Sequence, residues 1–335
     1  MRLATYNVEW FNALFDAQGQ LLADGGWSGR HDVTRAMQVE ALGTVFTALD
    51  ADAVLVVEAP DHKPERPTTA MLEGFATAFG LRARRAVTGF PNDTQQEIAL
   101  LYDPDVITAR HDPRTGPGAP RFDDTLRIDL DIDARHDRVQ FSKPPLELAL
   151  RTAAGRDLRL IGAHLKSKAP HGARSPADVM RIAIANRRKQ LAQAIWLRRR
   201  IAAHLEAGDS LLMMGDLNDG PGLDEYESLF GRSSVEIVMG EGEEDTMLHD
   251  PHARRALSAR LAAPPTTARF YIAPEGRYLQ ALLDYIMLSQ DLAALPANWR
   301  IWHPFDDPEC WSRPELRRAL ITASDHFPVT LDIPI

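Results

Sequence analysis

"LLMMGDLNDGPG", residues 211–222, runs four apolar side chains into an acid, an amide, a second acid and a Gly-Pro-Gly turn. The apolar run is strand-sized and ends in turn residues, so it reads as a buried strand. Beyond it stands a concentration of oxygen donors. Residues two apart in an extended chain share a face, so Asp216 and Asn218 present a carboxylate and an amide to one point. A hard cation, or a water activated beside one, needs oxygen groups of this kind. The same residues also build ordinary tight turns, and alone the stretch is open to both readings. The nearest rival motif is a calcium loop, D-x-[DN]-x-[DN]-G with a glutamate at position twelve. Glu227 sits at that place, but Gly220 replaces the fifth-position ligand and Pro221 the required glycine. The segment also follows a strand instead of a helix, so the calcium-loop reading fails.

Working outward, strand patterns appear at 2–8, 53–59, 97–102, 125–132, 146–152, 158–165, 210–216, 283–289 and 326–333. Helical spacing of apolar residues covers 33–49, through Val33, Ala36, Met37, Ala41, Leu42, Val45, Phe46 and Leu49, and a long helix fills 177–206. Strands dominate and helices interrupt them irregularly, which favours an α+β or layered α/β sandwich over a doubly wound parallel sheet. Turn-rich stretches at 60–69, 111–121 and 262–276 do not separate self-sufficient halves, so one domain over residues 1–335 is expected.

Polar groups recur where strands end. Asn7 interrupts "ATYNVEW", Glu58 follows "AVLVV" and His164 closes "LIGAHL". Asp284 lies within "LLDYIML", and Asp325 and His326 open the last strand in "SDHFPV". An amide or carboxylate in such a setting needs a partner or costs about 1–3 kcal/mol or more. Taken singly, each is an ordinary strand-end residue with solvent or a backbone partner. Taken together, acids, amides and two histidines at the ends of successive strands describe one reactive edge.

"ATYNVEW…LFD", "VLVVEAPD", "EIALLY", "GAHLKSK", "MGDLNDGP", "LDYIMLS" and "SDHFPV" resemble, in order and over nearly the whole chain, the motifs of the endonuclease/exonuclease/phosphatase superfamily, the DNase I-like enzymes. The resemblance implies a four-layered α/β/β/α sandwich of two mixed sheets flanked by helices. It also implies hydrolysis of phosphoester bonds dependent on Mg²⁺, or in some members Mn²⁺. By that likeness Glu58 is the principal metal ligand, with Asn7 and Asp325 near the ion. Asp216 orients or deprotonates the attacking water, and Asn218 holds it or a phosphate oxygen. Asp284 fixes the tautomer of His326, His164 contacts the scissile phosphate, and Glu97 orients His164. Which group acts as base, and whether one metal or two act, stays open. The calcineurin-like alternative needs an early D-x-H and a G-N-H-[DE], and neither occurs in the sequence.

Composition narrows the partners. A net charge of −9 weighs against non-specific gripping of duplex DNA, which draws its affinity from phosphate neutralisation. The single cysteine, Cys310, excludes an intrachain disulfide and a Cys-rich zinc site. No apolar run approaches the ~20 residues of a membrane span. No secretory pattern follows Met1, so a cytoplasmic protein with no obligate protein partner is expected. The expected partner is a phosphoester substrate, with nucleic acid one candidate and a small phosphorylated metabolite or lipid headgroup another.

Three features bear on substrate choice. Lys166, Lys168 and Arg174 follow His164 on a Pro/Gly-bearing loop within reach of a phosphate. The 177–206 helix carries Arg187, Arg188, Lys189, Arg198, Arg199 and Arg200 opposite an apolar stripe of Leu191, Ala194, Ile195, Ala202 and Leu205. That basic face reads as solvated, with Arg187 or Arg188 the exception nearest the loop; Lys166, Lys168 and Arg188 are the candidate substrate-binding cations. Trp299, Trp302 and Trp311 lie between the last two motifs, where an aromatic can stack a base or fill the core, and Trp302 reads as core.

Overall fold

Alternation along the strands decides the layering. Leu3, Leu55, Val57, Leu100, Leu158, Leu160, Leu212, Met214, Ile286 and Leu331 meet in one apolar cluster, while their neighbours Ala4, Val54, Val56, Ile161 and Met213 point away into two others. Strands with both faces apolar must be covered twice, so each sheet is packed on the other and on helices. The computed structural model describes residues 1–116, 118–130, 137–170, 172–220, 231–258, 263–272 and 276–335.

The strands are β1 (Arg2–Asn7), β2 (Ala53–Ala59), β3 (Arg85–Thr88), β4 (Glu97–Tyr102), β5 (Ile107–His111), β6 (Leu126–Ile128), β7 (Asp137–Val139) and β8 (Leu146–Thr152). They continue with β9 (Asp157–His164), β10 (Leu211–Asp216), β11 (Ala268–Ile272), β12 (Arg277–Ala281), β13 (Asp284–Leu288), β14 (Asn298–Ile301) and β15 (Val329–Asp332). A six-stranded sheet has the order β14-β15-β1-β2-β4-β3, and a five-stranded sheet the order β13-β10-β9-β8-β5. Both are mixed: β1 pairs parallel with β2, and β9 with β10, while their other partners are antiparallel.

Helices α1 (Arg35–Leu49) and α2 (Thr68–Ala78), with the Pro314–Ala323 helix, cover the outer face of the six-stranded sheet. Helix α3 (Pro176–Glu206) covers the other sheet, burying Leu191, Ala194 and Trp196. Thr34 caps α1 through the Met37 amide, and Ser175 caps α3 through the Asp178 amide, satisfying donors the first turn leaves open. The result is the expected α/β/β/α sandwich. Gly162 permits the close approach of its sheets, because a Cβ there would stand 2.6 Å from Leu55 Cδ1.

Some elements differ from the sequence reading. The 125–132 segment does not join a main sheet: Leu126–Ile128 pairs only with Asp137–Val139 in a side ribbon, and residues 131–132 lie outside the described residues. β15 begins at Val329, leaving Asp325 and His326 in the segment before it, where His326 forms a single antiparallel bridge with Ala268. The edge strands β3 and β14 and the β11–β12 ribbon come from short, half-exposed segments without a clear alternation, and β5, which alternates, is only five residues long. The ribbon occupies part of the turn-rich 262–276 stretch, of which 262 and 273–275 lie outside the described residues, as do Pro221, Gly222 and Glu227. Among the described residues, no helix is long and apolar enough to cross a membrane.

Candidate active site

The alternation that builds the core continues past its end. On β10, Leu212 and Met214 face the other sheet, so Asp216 does too; on β9 the same phase carries Leu158 and Leu160 to His164. Register places Asp216 opposite His164 on one side and Asp284 on the other. From the facing sheet, Asn7 ends β1 on the inter-sheet side, and its Nδ2 donates to Asp216 Oδ2 at 3.1 Å. Both sheets thus deliver polar groups to one end of their shared core. Asn7, His164, Asp216, Asp284 and His326 are all buried.

Asp216 is held by three donors: the Asn218 amide to Oδ1 at 2.7 Å, and Asn7 Nδ2 and Asn218 Nδ2 to Oδ2 at 3.1 and 3.2 Å. Asn218 sits in left-handed backbone, φ 49°, which asparagine tolerates better than most residues. Gly215 just before has φ 129°, and a Cβ there would lie 2.1 Å from the Ala163 carbonyl oxygen. Burial pushes the Asp216 carboxyl up to about 7 against the opposing pull of His326, with Asp284 pushing the same way as burial.

His326 Nδ1 lies 2.8 Å from Asp284 Oδ2, which also accepts from Thr267 Oγ1 at 2.8 Å. Nε2 stands 3.9 Å from Asp216 Oδ2 and 4.0 Å from Asp325 Oδ1. Burial works against the imidazolium, but Asp284, Asp216 and Asp325 overcome it and hold the group up at about 10. His164 is its opposite. Burial, then Lys143, His326 and Lys166, push it well below the usual histidine range.

Lys143 escaped the sequence reading. Its Nζ lies 3.0 Å from His164 Nε2 and 3.2 Å from Gln96 Oε1. Burial pushes it down to about 8, while the charges of Glu58 and Asp216 work in the other direction. Donation from Lys143 to Nε2 leaves the His164 proton on Nδ1, which is buried without a partner. Glu97 does not orient His164: it accepts from the His62 amide and from Asn92 N and Nδ2, and burial raises it to about 7.

Glu58 owes its direction to a β-bulge. Pairing with β4 shifts between Val57 and Ala59, and Glu58 has φ 62°. Ordinary alternation would send it beside Val54 and Val56 into the apolar layer under α1; the extra residue re-aims it. Its Oε2 accepts from the Trp10 amide at 2.9 Å. Burial raises its proton affinity and the Asp325 charge adds to this, with Lys143 and His326 opposing. Asp325 is fixed through its amide, which donates to Glu9 Oε2 at 2.9 Å, and Glu9 in turn pairs with Arg30. No sequence signal marked Glu9 or Thr267 as supports.

A divalent cation fits the neighbourhood of Glu58. Two mutually repelling carboxylates, Glu58 half-buried and Asp325 near it, offer the oxygen donors a hard ion favours. Asp216, Asp284 and His326 also bring donor atoms within 4.8 Å of one another. In that trio, however, the Asp284 oxygen is already committed to His326 and Thr267.

The expected substrate cations divide. Lys166 is half-buried and near enough to act on Lys143 and His164. Lys168 Nζ is tied to Asp219 Oδ1 at 2.7 Å, and Arg188 to Asp137 at 2.8 Å. Arg187 and Arg200 are not on a solvated face but buried, paired with Asp219 and Glu147. Trp302 is core, donating from Nε1 to Thr330 Oγ1, whereas Trp311 is exposed.

A family model described as the endonuclease/exonuclease/phosphatase family matches residues 4–326. No curated protein sequence matches the chain. Among solved structures, the 3′ phosphatase NExo from Neisseria, bound to a product DNA hairpin, aligns over 100% of both chains at 15% identity and a TM-score of 0.52. D. rerio TDP2 humanised by 14 mutations aligns over 100% of this chain and 99% of its own at 12% identity and a TM-score of 0.53. D. rerio TDP2 complexed with a single strand DNA product gives 12% identity, the same coverage and a TM-score of 0.50. Identities this low establish a shared DNase I-like fold and nothing finer.

Proposed function

The chain belongs to the endonuclease/exonuclease/phosphatase family of phosphoester hydrolases, and from that premise we propose that it is an Mg²⁺- or Mn²⁺-dependent phosphodiesterase, in its simplest form a nuclease. One observation carries the reading: the buried Asp216 carboxylate, steadied by Asn7 from the opposite sheet, stands 3.6 Å from His164 Nε2 and 3.9 Å from His326 Nε2.

Glu58 and Asp325, with Asn7 as a further oxygen donor, would hold the metal ion. Bound there, it would supply a Lewis acid that neutralises the phosphate and polarises its P–O bond. Asp216, raised toward neutrality by burial, accepts the proton of the attacking water; an acceptor titrating near the working pH is efficient. Asn218 orients that water or a phosphate oxygen. His326, kept as an imidazolium by Asp284, donates from Nε2 to a non-bridging phosphate oxygen. Lys143 places a second, half-buried cation beside His164, on the side where leaving-group charge develops.

The DNA products held by NExo and by D. rerio TDP2 support a nucleic-acid substrate. A small phosphorylated metabolite or lipid headgroup is the second reading. It draws on the net charge of −9 and on the engagement of Lys168, Arg187 and Arg188 with protein carboxylates. The test is hydrolysis of bis-p-nitrophenyl phosphate, p-nitrophenyl phosphate, single- and double-stranded DNA and RNA, with Mg²⁺, Mn²⁺ or EDTA. Metal-dependent diester cleavage, abolished in Asp216→Asn and His326→Ala, is expected. Turnover of the monoester alone would favour the second reading, and no turnover with no metal binding would sink both.

A further inference from the structure

The β11–β12 ribbon is rooted in the site, yet its outward face takes no part in the steps above. Thr267 Oγ1 donates to Asp284, the Arg269 amide donates to the Asp325 carbonyl at 2.7 Å, and the Phe270 ring meets that of His326 edge-on at 5.5 Å. Antiparallel register sets Arg269 opposite Gln280 and Tyr271 opposite Tyr278, so these four share one face. Ala268 and Ala281, with Phe270 against them, pack on the other face around Leu283.

On the outward face the rings form a file. Tyr271 and Tyr278 lie 5.2 Å apart, centroid to centroid. The Arg269 guanidinium sits 3.4 Å over Tyr278 and 5.4 Å over Phe305, and Phe305 lies 6.4 Å from Trp311. These four rings are 58%, 50%, 40% and 53% exposed. Large aromatics left in water at stacking intervals, with a cation among them, are an unfilled binding surface. The first ring of the file, Tyr271, stands two residues from Arg269, whose amide is bonded to Asp325.

We propose that Tyr271, Tyr278, Phe305 and Trp311 form a track for unpaired nucleobases, guiding single-stranded nucleic acid away from the phosphoester site; this rests on the phosphodiesterase reading above. Every base has a π-face, and stacking on aromatics suits a strand whose bases are free. A duplex hides those faces and would need a broad cationic groove, which an acidic chain does not favour. A lipid surface would call for aliphatic side chains, and the face formed by Arg269, Tyr271, Tyr278 and Gln280 carries none. Arg269, braced on Tyr278, is placed to meet the phosphate between two stacked bases.

The experiment pairs binding with turnover. A fluorescent single-stranded oligomer of about 12 nucleotides, within the range such surfaces cover, is titrated against the protein in EDTA, beside an abasic oligomer of equal length and charge. Tyr271→Ala, Tyr278→Ala, Phe305→Ala and the triple variant are compared, with circular dichroism as the fold control. The base-bearing oligomer should bind about ten-fold tighter than the abasic one, and each variant should weaken it by about five-fold or more. The ratio of kcat/KM on the oligomer to that on bis-p-nitrophenyl phosphate should fall by a similar factor. Equal binding of both oligomers, or base-dependent binding that survives in the triple variant, overturns the track. So does a triple variant that loses only self-association or binding to phosphatidylcholine vesicles. Wild-type protein inert toward bis-p-nitrophenyl phosphate with either metal overturns the phosphodiesterase reading instead, and that result is read independently of the titrations.

Discussion

Lys143 Nζ and His164 Nε2 stand 3.0 Å apart, the lysine half-buried and the imidazole buried, and the ammonium helps push the His164 ring well below its usual range. The ammonium needs an acceptor, and a neutral imidazole supplies one. Lys143→Met removes the charge and keeps the length of the stem. With the cation gone, His164 should titrate closer to the ordinary histidine range, as followed by the ring proton shifts of His164. Loss of a preorganised cation should lower kcat by about 10²-fold, an ordinary cost for one electrostatic group in a dry site. The wild-type rate should also fall above about pH 8, where Lys143 gives up its proton, and the variant should lack that limb.

Asp284 makes His326 a cation. Of the charges that raise the imidazole toward about 10, Asp284 is foremost, and burial alone would lower it. Asp284→Asn should therefore lower the His326 titration and cost about 10²-fold or more in kcat. The sign for stability is fixed. A histidine raised when folded contributes stability that is fully present below its unfolded value near 6.5 and is lost as pH rises through the folded value. Urea unfolding of the metal-free protein between pH 7 and 10 should show stability falling with pH, and the slope should flatten in His326→Gln. An unchanged slope would mean that His326 is neutral across this window.

How far the sequence reveals the site follows from where each side chain gets its environment. Asn7, Asp216 and His164 were legible because strand alternation alone carries them past the apolar core to a common edge. Glu58 was legible as a carboxylate out of place, but its direction depends on a bulge that local pattern does not announce. Lys143 was missed because "FSKPP" reads as a solvated loop, and only the fold brings its ammonium against His164. The 216–219 turn divides its acids: Asp216 faces the inter-sheet edge beside His164 and His326, while Asp219 anchors Lys168, Arg187 and the Ser234 amide. The layered fold was readable from the double-sided apolar strands. The short edge strands were not, because half-exposed segments of four or five residues carry too little pattern.

Arg187 should matter for folding more than for substrate. Its guanidinium lies 2.5 Å from Asp219 Oδ2 and 2.7 Å from Gln190 Oε1, wholly buried. Removing Arg187 leaves Asp219 with Lys168 and the Ser234 amide, so the loss stays below the ~3–5 kcal/mol of a fully stranded charge. Arg187→Ala should still lose a measurable part of the unfolding free energy in denaturant. The relative kcat/KM on different phosphodiesters should stay as in wild type for the protein that remains folded. A change in substrate ranking without loss of stability would return Arg187 to the substrate-binding group.

Glu58 pairs a cost in the metal-free protein with a use in the loaded one. Its carboxylate is half-buried at the bulge, takes the Trp10 amide and is repelled by Asp325. Desolvated charge of this kind is unfavourable until a cation offsets it. Glu58→Gln keeps the shape and removes the charge, so the metal-free variant should unfold at an equal or higher temperature than wild type. Mn²⁺ affinity, read by calorimetry or by loss of the free-ion electron paramagnetic resonance signal, should fall by at least about ten-fold, because an anionic oxygen has become a neutral one. Added Mn²⁺ should then raise the melting temperature of wild type and leave the variant nearly unmoved, since stabilisation scales with binding to the native state. A variant that keeps its Mn²⁺ affinity would shift the metal to the Asp216, Asp284 and His326 trio, whose donor atoms also converge.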